Sequence, residues 1–347
     1  MSGERTVGAG RAAPAARRGW VVPASLALLA LLVVLPAVLP PFFVGNILGR
    51  AIVFGIIAMS MTFLATYGGF VSLAQMMIAG IAGYAVAVLV PGAVPSIVGG
   101  VPYPVAIPIG LLAATAMGLL VGAIAVRTQG IYLLMITLAL AVGVHLFIQA
   151  NITWFNGYEG IRNVVGPEVF GIPFRDTYLF YYVSLATAAA LYAFVLYLVR
   201  TPFGLVLQGI RDNARRVNAL GYHAPLHRIA AFGVAGFIAG CGGLLNIFYN
   251  IGISPGSIGL GATMNILVMA VIGGLGHPIG AFIGALIFVV FDTFAADLYD
   301  RERFNTLIGA VFLLIVLLSP DGVLGLAKRA GRLFAKPAQP RPAEARH

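Results

Sequence analysis

Few residues in this chain are equipped for chemistry, and where they sit says more than how many there are. Asp292 is the only carboxylate well inside an apolar run, Ile279 to Ala296. An aspartate near the centre of a membrane span costs about 2.5–3.5 kcal/mol on insertion scales. About ten Ile, Leu, Val and Phe neighbours, at roughly −0.3 to −0.6 kcal/mol each, offset that, so the segment still inserts. Two readings of Asp292 stand side by side. Intramembrane charges are pathway candidates by default. Asp292 also lies within about two turns of Asp297 and Asp300, which would let it reach the outer interface. His145, Gln149, Asn246, Asn250 and Asn265 fall in apolar runs too and are expected to be satisfied between helices.

Enzyme chemistry finds no foothold. His223 and His227 have no neighbouring acidic ligand, so no metal site is expected. Neither a G-x-S-x-G motif nor a paired-carboxylate signature occurs. The nearest approach to a phosphate-binding loop, GGLGHPIG at 273–280, lacks the Gly-Lys-Ser/Thr ending. No cofactor is expected on this chain, and if ATP drives it another chain must bind the nucleotide. The single cysteine, Cys241, excludes an intrachain disulfide and a multi-cysteine metal site.

The second polar feature is GLVLQGIRDNARRVNALG, Gly204 to Gly221. Leu207, Ile210, Ala214, Val217 and Leu220 recur at helical spacing, with Arg211, Arg215 and Asn218 on another face. Asp212 precedes Arg216 by four residues, the favourable order for a surface pair, and Gly221 supplies the stop. The spacing predicts one amphipathic helix outside the membrane, placed to dock on a soluble partner. Leu207 and Ile210 would be its apolar anchors, with Arg211 and Asp212 at the rim.

The elements that must hold these residues are membrane spans. Of 347 residues 60% are hydrophobic and 9% charged, against roughly 45–50% and about 25% in soluble domains. Such a chain is solvated by a bilayer and closes its backbone hydrogen bonds within helices, giving an all-α polytopic membrane protein. Apolar runs occur at Trp20–Leu39, Ile47–Thr66, Leu73–Val90, Tyr103–Val126, Ile131–Ala150, Tyr178–Val199, Ile229–Tyr249, Ala262–Ile272, Ile279–Ala296 and Phe304–Leu318, about ten transmembrane or re-entrant helices. The third and eighth are short for a crossing that needs about twenty residues. The first is kept as a span rather than a signal peptide, because LPPFF offers no small-residue cleavage site.

This divides the chain into a disordered tail at 1–19, a transmembrane domain at 20–319 with a cytoplasmic loop at 200–228, and a second tail at 320–347. With the N-terminus inside, 16 of the 21 Lys and Arg fall on the inner side and five, Arg50, Arg162, Arg175, Arg301 and Arg303, on the outer. The positive-inside bias puts both termini and the 204–221 segment in the cytoplasm, and explains the net charge of +10 without nucleic acid. Glycines within spans, such as Gly80, Gly83, Gly236, Gly240, Gly242 and Gly243, predict close helix approach.

Four stretches, in order, resemble the membrane subunits of branched-chain amino acid ABC importers, the LivH/LivM group, and the LivM type more closely. They are YGGFVSLAQMMIAGIAGY at 67–84, RTQGIYLLMITLALA at 127–141, 204–245, and NILVMAVIGGLGHPIGAFIGA at 265–285. The resemblance covers roughly Ile47 to Leu324. It implies an ABC importer permease that works in an inner or plasma membrane with a second, LivH-like permease, two cytoplasmic ABC ATPases and an extracytoplasmic solute-binding protein. Membrane lipid surrounds it and ATP binds only to its partners. ATPase coupling would fall to Gly204, Leu207, Ile210, Arg211, Asp212, Asn213 and Gly221. The translocation pathway would fall to Ser72, Gln75, Thr137, Asn265 and Asp292. The cargo would be branched-chain or related amino acids, with urea, amides or other small polar solutes as the alternative, and an ion-coupled secondary transporter as a further one.

The chain departs from the family pattern at Ala74, within Ser72-Leu73-Ala74-Gln75, at Asn213-Ala214 after the Arg-Asp pair, and at Asn156-Gly157-Tyr158-Glu159-Gly160 in the outer loop.

Overall fold

The computed structural model describes residues 32–93, 100–167 and 173–298 and the single positions 309, 322, 323 and 325, with no side chains described for 295–298. The described residues 32–40 belong to a unit separate from the rest, and in them Leu35–Ala37 is a 3-10 turn. The tails at 1–19 and 320–347, most of the first apolar run and the run at Phe304–Leu318 lie outside the described residues, apart from a few isolated positions.

In the main unit the remaining eight apolar runs are all helical. We number the helices α1 (Phe43–Gly68), α2 (Gln75–Leu89), α3 (Tyr103–Ala125), α4 (Ile131–Ala150), α5 (Thr177–Arg200), α6 (Pro202–Ala219), α7 (Ala224–Asn250), α8 (Leu260–Gly273) and α9 (Ile279–Leu298). Among the described residues six helical stretches are long and apolar enough to cross a membrane: α1, α3, α4, α5, α7 and Pro255–Gly273. The last exceeds its apolar run because a 3-10 turn, Pro255–Ile258, leads into α8. The 15 residues of α2 rise about 22 Å, short of a hydrocarbon core of about 30 Å. A two-stranded antiparallel pair, β1 (Ile161–Arg162) and β2 (Gly252–Ile253), ties the loop between α4 and α5 to the segment that follows α7.

The centre is α7, which packs along α1, α2 and α3. A different glycine faces each neighbour. A Cβ on Gly243 would sit 2.0 Å from the Ala79 carbonyl of α2, and one on Gly236 3.0 Å from the Gly118 Cα of α3. A Cβ on Gly242 would meet Ile57 of α1 at 2.6 Å. In lipid no hydrophobic force drives helices together, so such approaches supply the dispersion contacts that do. The expected close glycine packing is therefore present.

The 204–221 segment is not one helix. Asn213 has φ −162 and ψ 98, breaking α6 in two. Its side chain then caps the second half, Oδ1 accepting from the Arg216 N–H at 3.1 Å. The break removes the expected Asp212–Arg216 pair; Asp212 meets Arg211 instead, at 3.2 Å. Gly221 does supply the stop: it has φ +90, and the Tyr222 N–H returns to the Val217 carbonyl at 3.3 Å.

Candidate functional site

α1 carries a polar feature near each end. Both lie beside stretches where the helix widens to π-type turns, Phe43–Gly49 and Leu64–Gly68, a deviation often found at functional positions. Arg50 opens the regular helix between them, and its Nη1 lies 2.7 Å from Oδ2 of Asp292 on α9. The guanidinium carbon is 5.6 Å from the centre of the Phe54 ring, a cation–π arrangement. Arg50 is thus inside α1 rather than in an outer loop. Asp292 finds its partner on another helix; the side chains of Asp297 and Asp300 lie outside those described. Pairing reduces the cost of each charge, because each stands in for part of the other's lost hydration.

The pair borders a cavity of about 810 Å³, within the usual 300–1,000 Å³ range of small-molecule sites. Its apolar lining includes Phe54, Met76, Ile266, Met269 and Phe288, and its polar lining Asn246, Asn250, Ser254, Ser257 and Asn265. Asn250 donates to the Asn246 carbonyl at 2.8 Å, and Ser257 to the Ser254 carbonyl at 2.6 Å. Asn265 is exposed and has no hydrogen-bond partner among the described residues. The expectation that such residues are satisfied between helices holds for His145, whose Nδ1 lies 3.1 Å from the Pro255 carbonyl, and fails for Asn265. At the mouth Glu159 and Arg162 pair at 3.0 Å. The outer-loop departure from the family pattern therefore falls on the cavity rim.

The five candidate pathway residues separate into two groups. Asn265 and Asp292 line the cavity. Ser72, Gln75 and Thr137 are buried around the non-helical stretch between α1 and α2, Gln75 at the start of α2 and Thr137 within α4. There the Thr137 hydroxyl accepts from the Leu73 N–H at 3.1 Å, and Ser72 Oγ from the Ala74 N–H at 3.3 Å. Ser60 Oγ donates to Gln75 Oε1 at 2.9 Å. Irregular backbone at membrane depth needs such partners, because no water reaches it. Ser72 and Thr137 thus satisfy a chain break, Gln75 is held by Ser60, and none of the three lines the cavity.

At the other end of α1 the Arg211 guanidinium donates to the Thr66 carbonyl at 2.6 Å, and the Thr66 hydroxyl donates to the Leu275 carbonyl in the α8–α9 turn at 2.6 Å. Leu207 and Ile210 are 0% and 2% exposed, and Ile210 packs with Val206, Val217 and Ala224. They face this chain's own core, which corrects their assignment as anchors for a partner. The open apolar side chains there are Leu205, Leu220, Tyr222 and Leu226. Periodicity flagged the right stripe, but a stripe shows only that some surface covers it, not whose.

A bundle of apolar helices around a charged, mixed-polarity cavity defines a polytopic membrane permease. A family model described as "Branched-chain amino acid transport system / permease component" matches residues 43–317, and the chain belongs to this family of transport permeases, which are not enzymes. It is 24% identical over 245 residues to the high-affinity branched-chain amino acid permease LivM of Escherichia coli, a match covering 64% of this chain and 57% of that one. It is 26% identical over 237 residues to the probable LivM permease of Methanocaldococcus jannaschii (62% and 67%), and 25% over 226 residues to LivH of Salmonella typhimurium (62% and 72%). The chain thus spans little more than half the length of Escherichia coli LivM. No solved structure matches it.

Proposed function

We propose that this chain is a transmembrane subunit of an ABC importer that moves branched-chain or related amino acids inward through the cavity bordered by Arg50 and Asp292. The observation that carries this is the pairing of a family match over 43–317 with a cavity lined by both charged and apolar side chains. ATP is hydrolysed on separate ATPase subunits, which dock at the α6 end through Leu205, Leu220, Tyr222 and Leu226 with Asp212, Arg215 and Arg216 around them. A second, similar permease and an extracytoplasmic binding protein complete the assembly.

The α6 end faces the cytoplasm in this reading. Arg127, Arg200, Arg211, Arg215, Arg216 and Arg228 gather there, against Arg50, Arg162 and Arg175 at the cavity end, among the described residues. The test is uptake into proteoliposomes holding the assembled transporter. ATP-dependent accumulation of leucine, isoleucine and valine is expected. A transporter that accumulates urea or amides and none of the three amino acids would replace the substrate class, and accumulation driven by an ion gradient without ATP would overturn the ABC reading.

A further inference from the structure

We infer that the Arg50–Asp292 pair is a binding site for zwitterions, opened by the ligand it binds; the inference rests on the transport reading above. A free α-amino acid carries a carboxylate and an ammonium a few bonds apart. A site that selects it needs a cation and an anion at matching separation, hydrogen-bonding groups beside them, and room for an apolar side chain. The cavity brings these together. Arg50 and Asp292 stand on different helices and touch at 2.7 Å, with their side chains 34% and 24% exposed, so each keeps a face open to the cavity.

Insertion of a zwitterion exchanges one ion pair for two, the ligand carboxylate on Arg50 and its ammonium on Asp292. Two opposite charges enter and two new pairs form, so the site stays neutral whether empty or filled. A ligand with one charge leaves either Arg50 or Asp292 half-buried without a counter-ion, which disfavours it. Asn265, exposed and without a partner among the described residues, offers its amide to the bound carboxylate. Phe54, Met76, Met269 and Phe288 receive the branched side chain. The permease itself would thus reject amides and simple carboxylates, independently of any binding protein.

The experiment is equilibrium binding of radiolabelled leucine to the full chain in lipid nanodiscs, with leucinamide and 4-methylpentanoate as competitors that each lack one of leucine's two opposite charges. Wild type is expected to bind leucine at least tenfold more tightly than either. Arg50→Gln should weaken leucine at least tenfold and erase its advantage over leucinamide, while Asp292→Asn should erase its advantage over 4-methylpentanoate. Asn265→Ala, at a position whose side-chain amide bonds to no other described residue, should lower leucine affinity about threefold to tenfold at unchanged yield.

If the pair is only a clamp between α1 and α9, the single variants lose thermal stability and keep the wild-type order of the three ligands, which sinks the inference. A wild-type chain that binds leucine no better than its analogues sinks it equally. Leucine uptake by the assembled transporter is read separately. Uptake that persists with unselective binding overturns this site and leaves the transport reading standing; selective binding without uptake does the reverse.

Discussion

The two ends of α1 use the same residue type for opposite purposes. At one end Arg50 meets another side chain, Asp292, across the edge of a cavity. At the other, about 24 Å along the helix by its rise per residue, Arg211 of α6 holds a backbone carbonyl, Thr66, and its stem packs over Gly69. Gly69 has φ +74, and a Cβ there would lie 2.4 Å from Arg211 Cγ. Two side chains at the ends of flexible stems can part and re-form with a ligand between them. A guanidinium on the last carbonyls of a helix, fitted to a glycine, is a joint, which favours transmitted movement over exchange of partners. Thr66 extends that joint to the α8–α9 turn through Leu275, so displacement of α6 bears on both α1 and α9, the two helices that carry the ion pair.

The largest expected effect tests whether α6 is built into this chain. Ile210→Asp removes about 1.5–3 kcal/mol of burial and adds a charge without a partner. We expect a loss of more than about 3 kcal/mol, seen as failure to recover folded chain from membranes. A variant that is recovered intact and lacks only its ATPases would show that the stripe faces a partner after all.

Gly69→Ala comes next. The left-handed conformation costs an L-residue about 1–2 kcal/mol, and the added methyl displaces the Arg211 stem, so melting should fall accordingly. In an Arg211→Ala background, which removes the Cγ contact and keeps only the Cβ at 3.2 Å, most of the steric part should be lost and the conformational part should remain. Equal losses in both backgrounds would mean that the two residues are independent.

At the cavity end Asp292→Asn and Arg50→Gln should each destabilise by about 1–2 kcal/mol, below the 3–5 kcal/mol of a fully buried pair because both side chains are partly exposed. The exchange Arg50→Asp with Asp292→Arg should recover most of that loss on thermal unfolding. No recovery would locate the cost in packing rather than charge. Smallest for the fold is Leu220→Asp: at 77% exposure it should change stability by under about 0.5 kcal/mol. It should nevertheless weaken ATPase co-purification at least tenfold, about 1.4 kcal/mol. Unchanged co-purification would move the docking surface elsewhere.

Much of the bundle was legible because membrane helices announce themselves locally. Each must close its own backbone hydrogen bonds and present apolar side chains to lipid, so length and composition of a run suffice, as they did for the eight runs that prove helical. Motif order in turn pointed to the family, and the stop at Gly221 was readable from residue type. What sequence could not supply was partnership. Arg50 and Asp292 are 242 positions apart, and their one local signal was that each is a lone charge of opposite sign in an apolar run. Attending to both at once would have paired them.

The buried face of α6 was hidden for a related reason. Amphipathic spacing shows that Leu207 and Ile210 are covered, and only the fold shows that both are buried within this chain, Ile210 beneath α6's own second half and the start of α7. Ser72 and Thr137 were chosen for polarity and turn out to satisfy broken backbone, which depends on where α4 lies against the α1–α2 break. Residue identity and local pattern determined the helices, the break at Gly221 and the absence of a nucleotide motif. The ion pair, the cavity and the direction of every polar group were decided by tertiary packing, because charge and hydrogen-bond energies depend on which groups stand within a few ångströms, a distance the linear order does not encode.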